Sequence, residues 1–481
     1  MTGEGLDERR RREPSLALAL LPVISLVVFL GTGYLIFDLP VEPLLIAAAA
    51  CAAGVAIHLG HTWQEVADSI AEKIATTVPA ILILLCVGII IGSWMAGGTI
   101  PMLIHAGLSL ISPRFLALIA LIVTAVVALC TGTSWGAAGT IGVALMGVGI
   151  GVGANLAVVA GAVIAGGFFG DKLSPLSDTT NIASLAARVN LFEHIRHVLW
   201  TTGPAFLTSA TVYLIYGIFH ATPGAEPEQV GVIMDALERG FRVTGIWVIP
   251  LLLPVLIVLG GALRKLPTIP VMLASAAVAT ANALLIQRIS LRDVANSWVY
   301  GFDHTMIDAS LGKDVMELVD RGGMMGMMPT VIIYFCAIAF AGAFAVTPAL
   351  DILIAALMTK VHSTFTLIAA TIATGLATIG ITANGQVGLL FPGEMLRPAY
   401  VEHGLHPKNL SRTMEDSVTG IECLLPWTPA GVYMAGTLGV ATLDYVPWAV
   451  SNWVAIGFSL LWGATGIGIA KLAPGEQIKT G

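Results

Sequence analysis

Gly170-Asp-Lys-Leu-Ser-Pro-Leu-Ser-Asp-Thr-Thr-Asn-Ile-Ala-Ser184 is the stretch whose reading decides how this chain folds. It packs two acids, a lysine, three serines, two threonines and an asparagine around Pro175, immediately after the apolar, glycine-rich residues 137–169 and shortly before the apolar run 198–219. A regular lipid-facing helix cannot carry such a segment, since each charge at bilayer depth costs about 2.5–3.5 kcal/mol even on a permissive scale. A polar break of this kind inside a membrane protein must be buried in protein or line a wet cavity, where carbonyls, hydroxyls and carboxylates become ligands for a hard cation. The competing reading is a solvent-exposed loop, polar and proline-punctuated because loops are.

Working outward, hydrophobic residues make up 56% of the 481 and charged residues 11%, against roughly 25% charged in soluble domains. A soluble surface is excluded. Apolar runs at 16–37, 41–59, 78–97, 115–130, 198–219, 243–263, 270–286, 329–346, 364–381 and 448–470 each approach the roughly 20 residues that cross a hydrocarbon core of about 30 Å. Residues 137–169 are too long and too rich in glycine for one plain span, and a re-entrant segment is expected within them. The fold class is therefore an all-α integral membrane protein of about 10–12 transmembrane helices with broken or re-entrant segments at the site.

Orientation follows the placement of Lys and Arg rather than the net charge of -7, and nothing in that charge calls for a nucleic-acid partner. Arg9, Arg10, Arg11 and Arg12 precede the first run, which exceeds the roughly 7–15 residues of a signal-peptide core. A retained first helix with a cytoplasmic N-terminus follows. Cys51, Cys86, Cys130, Cys336 and Cys423 show no metal spacing and are expected to pack as small apolar groups.

Internal similarity organises the chain. Trp63-Gln-Glu-Val-Ala-Asp-Ser69 matches Leu291-Arg-Asp-Val-Ala-Asn-Ser297 at an offset of 228, and Pro79, Cys86 and Gly92 match Pro329, Cys336 and Gly342 at 250. Thr131-Gly-Thr-Ser-Trp135 answers Thr382-Ala-Asn-Gly-Gln386 at 251, and Ser177-Asp-Thr-Thr180 is paired with Glu415-Asp-Ser-Val418 at 238. The expected organisation is a tail (1–15), a first helix (16–40), repeat one (41–220), a connecting loop and linking helix (221–267), repeat two (268–470) and a C-terminal tail (471–481). Basic Arg264 and Lys265, read as cytoplasmic like the N-terminus, make the repeats inverted. Residues 63–74 and 291–298 are then interfacial helices on opposite faces.

The second half has its own polar break, Leu410-Ser-Arg-Thr-Met-Glu-Asp-Ser-Val-Thr-Gly420, followed by Pro426-Trp-Thr-Pro429. Paired polar breaks in two hydrophobic halves point to a midplane site. Earlier in each half, Thr131, Thr133 and Ser134, and Thr382 and Asn384, sit where small residues unwind a helix cheaply; a small-residue packing face is the alternative there.

Gly170 to Asn181 resembles the signature of NhaC-type sodium/proton antiporters. Thr131-Gly-Thr-Ser-Trp-Gly136, Leu410 to Ser417, Leu425-Pro-Trp427 and Tyr433-Met-Ala-Gly-Thr-Leu-Gly439 extend the resemblance over most of the chain from Thr131 onward, the first 130 residues matching mainly in hydropathy. The resemblance implies Na+/H+ exchange by alternating access, with Na+- or H+-coupled transport of a small organic solute (malate, lactate or an amino acid) as the alternative. The family pattern has a polar pair such as Asn-Thr where this chain has Thr428-Pro429, which leaves the cargo open.

An antiporter needs one site that Na+ and H+ occupy in turn, and a carboxylate, whose reference pKa near 3.9 burial can raise by several units, supplies it. Asp178 is the first choice for that carboxylate and for Na+ binding, then Asp171, with Asp416 as symmetry mate and Glu415 as a further acid. Ser174, Ser177, Thr179, Thr180, Asn181 and Ser417 would supply neutral oxygens, and Lys172 and Arg412 would compensate charge. No cofactor is expected, Na+ and H+ being cargo. The partners are the lipid bilayer, small cations, a small carboxylate or amino acid in the alternative, and a second copy of the chain in a homodimer; the location is a prokaryotic plasma membrane. An intramembrane hydrolase using Asp171 and Asp178 has no nucleophile or metal signature to support it.

Overall fold

The computed structural model describes residues 12–34, 36–110, 112–220, 227–307, 316, 319, 320 and 322–472, so most of both expected tails, including Arg9, Arg10 and Arg11, lies outside the described residues. Among them the chain is helical, with a lone bridge between Leu405 and Lys471 in place of any sheet. Eleven helices are long and apolar enough to cross a membrane, in line with the all-α membrane class.

The first half runs through α1 Leu16–Tyr34, α2 Val41–His58, α3 Trp63–Ala96, α4 Thr99–Leu110, α5 Pro113–Thr131, α6 Ser134–Gly151, α7 Leu156–Leu173, α8 Asp178–Ala186 and α9 Leu191–Phe219. Helix α10, Pro227–Gly240, leads into the second half. There follow α11 Gly245–Leu263, α12 Thr268–Gln287, α13 Leu291–Tyr300, α14 Met324–Ala345 and α15 Ala349–Met358. The chain ends on α16 Thr364–Thr382, α17 Gly385–Glu402, α18 over 408–422, α19 Pro429–Leu438 and α20 Val450–Thr465.

Two local expectations are revised. Residues 137–169 belong to two helices, because Gly153 turns left-handed and the Asn155 side chain caps the start of α7 by accepting from the amides of Ala157 and Val158. Residues 63–74 are not a separate interfacial helix. They open α3, a continuous 34-residue helix of about 51 Å at 1.5 Å per residue. A capping box starts it, the Glu65 amide donating to Thr62 Oγ1 at 3.2 Å and the Thr62 amide to Glu65 Oε2 at 3.0 Å. Residues 291–300 do form their own helix, since Gly301 and the residues beyond it interrupt the chain before α14.

Each half packs its early helices on the other half. Helix α2 lies on α14 and α12 on α3; α1 lies on α15 and α11 on α4; α8 lies on α17 and α19 on α6. Helices α3 and α14, and α9 and α20, meet across the centre. Between membrane helices the lipid offers no hydrophobic drive, so close backbone approach at small residues holds such contacts. Ser69 Oγ donates to the Gly342 carbonyl at 2.8 Å, and a side chain at Gly342 would strike the backbone of Ile70. The reciprocal contact sets Gly92 against the carbonyl of Ser297. Ser69 with Ser297, and Gly92 with Gly342, are residues matched in sequence, and each serine turn meets the other half's glycine. Between α5 and α7 the side chain of Thr124 fills the space over Gly166, while between α16 and α18 the side chain of Ser417 fills the space over Gly375. The bulk has changed sides while the contact has stayed.

Candidate functional site

Two helices break by the same device. Helix α5 ends on Gly132 in the left-handed region (φ 72°), and Thr133 (φ -150°) then caps α6, its Oγ1 accepting from the Gly136 amide at 3.2 Å. Helix α16 ends on Ala383 (φ 48°), and Asn384 (φ -135°) caps α17, its Oδ1 accepting from the Val387 amide at 3.0 Å. An alanine held left-handed costs on the order of 1–2 kcal/mol, and such strain persists where the surrounding structure imposes it. Each break presents a helix N-terminus, with free amides and partial positive charge, to the protein interior.

A carboxylate meets each N-terminus. Asp171, one turn from the end of α7, accepts at Oδ2 from the Ser134 amide (3.1 Å) and Ser134 Oγ (2.7 Å), and the Ser177 hydroxyl also reaches it. In the second half the Gly385 amide is directed at the carboxylate of Glu422. A side chain at 385 would collide with that carboxylate. Ser134 and Gly385, Asp171 and Glu422, and the helix caps Ser177 and Thr428 all stand 251 residues apart. This is the separation already held by Thr131 and Thr382.

Ser177–Thr180 therefore answers Thr428–Gly431, and the pairing of Asp178 with Asp416 at an offset of 238 is corrected. Matching acid to acid drew the sequence comparison off register, whereas backbone geometry keeps it constant. Thr428-Pro429, the departure from the family pattern, has a local reason. Thr428 Oγ1 accepts from the Gly431 amide at 3.2 Å and Pro429 occupies the first helical position of α19, where its missing N–H is harmless.

A second tier of charge comes from α18. Glu415 and Asp416 are fully buried on a stretch with π-helical bonding, a departure that recurs at functional sites. Asp416 Oδ2 accepts from Ser459 Oγ at 2.8 Å, and Oδ1 lies 3.7 Å from Lys172 Nζ. Lys172, sequence neighbour of Asp171, thus crosses to the other half. The Thr419 hydroxyl approaches the Glu415 carboxylate without closing a full hydrogen bond, and His194 Nε2 lies 4.0 Å from Oε1. Arg412 is fully buried and donates through Nη1 to the Gly468 carbonyl at 2.7 Å, leaving Nε and Nη2 without an acceptor.

The remaining expected residues divide between this centre and its scaffold. Thr180 is buried, its hydroxyl donating toward the carbonyls of Asp171 (3.4 Å) and Lys172 (3.3 Å). Ser174 is buried, with Oγ accepting from the Leu176 amide at 3.3 Å, and Thr179 bonds the Ser177 hydroxyl at 3.1 Å. Thr131, Thr382 and Ser417 donate back to Val127, Thr378 and Thr413 carbonyls within their own helices. Asn181 is exposed and ties the link by donating to the carbonyls of Ser177 and Pro175. Asp178 is exposed at the first position of α8, outside the buried cluster.

Sequence reading passed over Glu422, His194, Ser459 and Asn452. Glu422 was within reach had the 251 separation been carried past Pro175 and Pro426, which also obey it. The other three are single polar residues in helices with no local pattern, and only packing brings them to α18. Outside the bundle, Asp303, His304 and Asp320 bring ligand atoms within 4.8 Å of one another. His304 Nδ1 is paired with Asp320 Oδ2 at 2.8 Å there, and Thr305 donates to Asp303 through its amide and hydroxyl, holding that carboxyl below its usual pKa.

The family model described as Na+/H+ antiporter family matches residues 14–180 and 168–467. The chain belongs to the Na+/H+ antiporter family. It is 56% identical over 465 residues, 96% of its length and 98% of the relative's, to a Haemophilus influenzae protein described as an uncharacterized Na+/H+ antiporter. It is 35% identical to the Na+/H+ antiporter NhaC of Alkalihalophilus pseudofirmus, covering 94% of this chain and 96% of that one. It is 31% identical to the malate-2H+/Na+-lactate antiporter of Bacillus subtilis, covering 94% and 93%. Membership of this family makes the chain a transporter, and the eleven membrane-length helices among its described residues make it a multi-pass protein of the bacterial plasma membrane.

Proposed function

We infer that this antiporter exchanges Na+ for H+ by alternating access, with the two ions competing for the carboxyl of Asp171 at the first helix break. One observation carries the reading, the balance of interior charge. Among the described residues Asp171, Glu415 and Asp416 are buried and Glu422 is half-buried, against three buried cations, Lys172, Arg412 and Arg397, of which Arg397 has Arg188 rather than one of these acids as its charged neighbour. A buried charge without a partner costs several kcal/mol, so the surplus acids must hold either protons or cations. Exchange is the swapping of one for the other. The helix N-terminus at Ser134 and the hydroxyls of Ser177 and Thr180 surround Asp171 with fixed dipoles, and the unwound links supply neutral oxygens of the kind a hard cation takes. Lys172 compensates charge from beside the site.

Alternating access then comes from the two halves acting as inverted repeats, each extended by a leading helix, α1 or α11, beyond the bounds drawn from sequence. The reciprocal packing of α2 on α14 and of α12 on α3 supports that pairing. Thr62 and Ser290, exposed caps at matching helix starts, are the places to test it. Single cysteines at the two positions are expected to react with a membrane-impermeant thiol reagent from opposite sides of the membrane. Labelling of both from one side refutes inversion.

The cargo is tested with purified protein in liposomes, where an imposed Na+ gradient is expected to drive protons the other way, read by a trapped pH dye. Proton movement that ignores Na+ but follows a malate or lactate gradient would transfer the cargo to a small carboxylate.

A further inference from the structure

We propose that His194 and Glu415 form a proton-binding pair of their own, separate from the carboxyls at the two helix breaks. The proposal rests on the exchange reading only in making this proton one of those exchanged. It starts from an asymmetry. Arg412, Glu415, Asp416 and Thr419 on α18 stand, at the constant separation of 251, where α7 has Gly161, Ile164, Ala165 and Phe168. The carboxyls at the breaks have counterparts in both halves; this polar face exists in one. Its side chains are buried; Asp416 Oδ1 and His194 Nε2 have no hydrogen-bond partner, and the Glu415 carboxyl is approached by the Thr419 hydroxyl alone.

Hydrogen-bond directions around the imidazole show what is missing. Ser411 Oγ lies 3.1 Å from the Lys408 carbonyl and 2.8 Å from His194 Nδ1; we assign its proton to the carbonyl, which can only accept, and with it the Nδ1–H tautomer to His194. With Nδ1 protonated, a neutral ring turns the bare lone pair of Nε2 toward Glu415 Oε1, 4.0 Å away. An ionised carboxylate offers only lone pairs in return. Two acceptors facing each other in a dry interior are destabilising unless one proton sits between them. The separation is too short to seat a bridging water, and a shared proton requires the two groups to draw about 1 Å closer, to hydrogen-bond length.

The pair is complete with one proton, as imidazolium and carboxylate or as imidazole and carboxylic acid. Transfer from Nε2 to Oε1 interconverts the two with no change in net charge and leaves Nδ1–H on Ser411 undisturbed. Asp416 and Arg412 on α18, Lys172 and Asp171 on α7, His197 on α9 and Tyr400 on α17 are the titratable or charged groups that set its field. Among them His197 is already bonded through Nε2 to Asn409 Oδ1 at 3.0 Å, and the Tyr400 hydroxyl to Thr371 at 2.9 Å. Asp416, next in sequence to Glu415 and facing Lys172, connects the pair to the carboxylate centre.

Glu415→Gln is the discriminating change, since its amide brings an N–H for Nε2 and so removes the need for a titrating proton. In acid-minus-alkaline infrared difference spectra of the protein in lipid, the wild type is expected to show a carboxylic-acid carbonyl band that Glu415→Gln deletes and His194→Gln shifts. The reversal potential of Na+-driven flux is expected to report one proton fewer per Na+ in Glu415→Gln. A band unaltered in both variants, or an unaltered proton count in an active Glu415→Gln protein, overturns the proposal. The spectrum decides even for a variant without turnover, and His194→Gln decides where Glu415→Gln does not fold. Failure of the wild type to couple Na+ to protons, with the band behaving as expected, would strike the exchange reading and leave the pair standing.

Discussion

Asp171→Asn is expected to abolish Na+-driven proton movement in liposomes while leaving a folded, membrane-inserted protein. The asparagine carbonyl can still accept from the Ser134 amide and Oγ, which in the native chain donate to one oxygen, Oδ2. The helix cap survives, and the stability change should stay within about 1 kcal/mol, the worth of one net hydrogen bond. What disappears is the charge that a proton or Na+ neutralises in turn. Asp178→Asn is the companion measurement, because Asp178 stands exposed at the start of α8 rather than in the buried cluster. Exchange retained by Asp171→Asn and lost in Asp178→Asn would move the ion to the outer carboxylate and remove Asp171 from the mechanism.

Lys172→Met is the second large effect expected, and it strikes stability as well as transport. Lys172 and Asp416 are 3% and 0% exposed, with Nζ 3.7 Å from Oδ1. Removing one partner of a buried pair leaves an uncompensated charge and costs about 3–5 kcal/mol. The thermal aggregation midpoint should fall clearly, and exchange should be lost. Adding Asp416→Asn neutralises the orphan while keeping an acceptor for Ser459, so the double variant should recover most of the thermal stability without recovering exchange. A single variant as stable as the wild type would mean that Lys172 is paired elsewhere in the working protein.

The two predictions rest on residues that the sequence exposed to different degrees. Asp171 and Lys172 were legible because a charged pair beside Pro175, after a long apolar stretch, has no place in lipid. Their partners were not. Asp171 meets Ser134 across 37 positions and Lys172 meets Asp416 across more than 240, and each partner lies on a helix whose own pattern is silent about what it faces. Asp178 drew attention for the same compositional reason as Asp171, yet seven positions and one proline separate a buried carboxylate from an exposed one. The polarity of a segment is a sum over its residues, whereas burial depends on which side of a half-turn each one falls.

Sequence alone was enough to show a bundle of membrane helices, the breaks after Thr131, Leu173 and Thr382, and the family to which the motif at 170–181 points. Those properties are local: hydropathy over about 20 residues, a glycine or small residue that unwinds a helix, and a run of polar groups that lipid refuses. The second polar break, expected at 410–420, is instead a continuous helix over 408–422, and the chain breaks after it, at 423–428. Packing alone set Asp171 and Glu422 at the two helix breaks, brought Lys172 across to Asp416, and turned His194 toward Glu415. In lipid no hydrophobic force selects among helix pairings. The choice falls to close contacts such as Gly92 on Ser297 and Gly342 on Ser69, whose partners lie hundreds of residues apart and carry no mark in the chain of what they will touch.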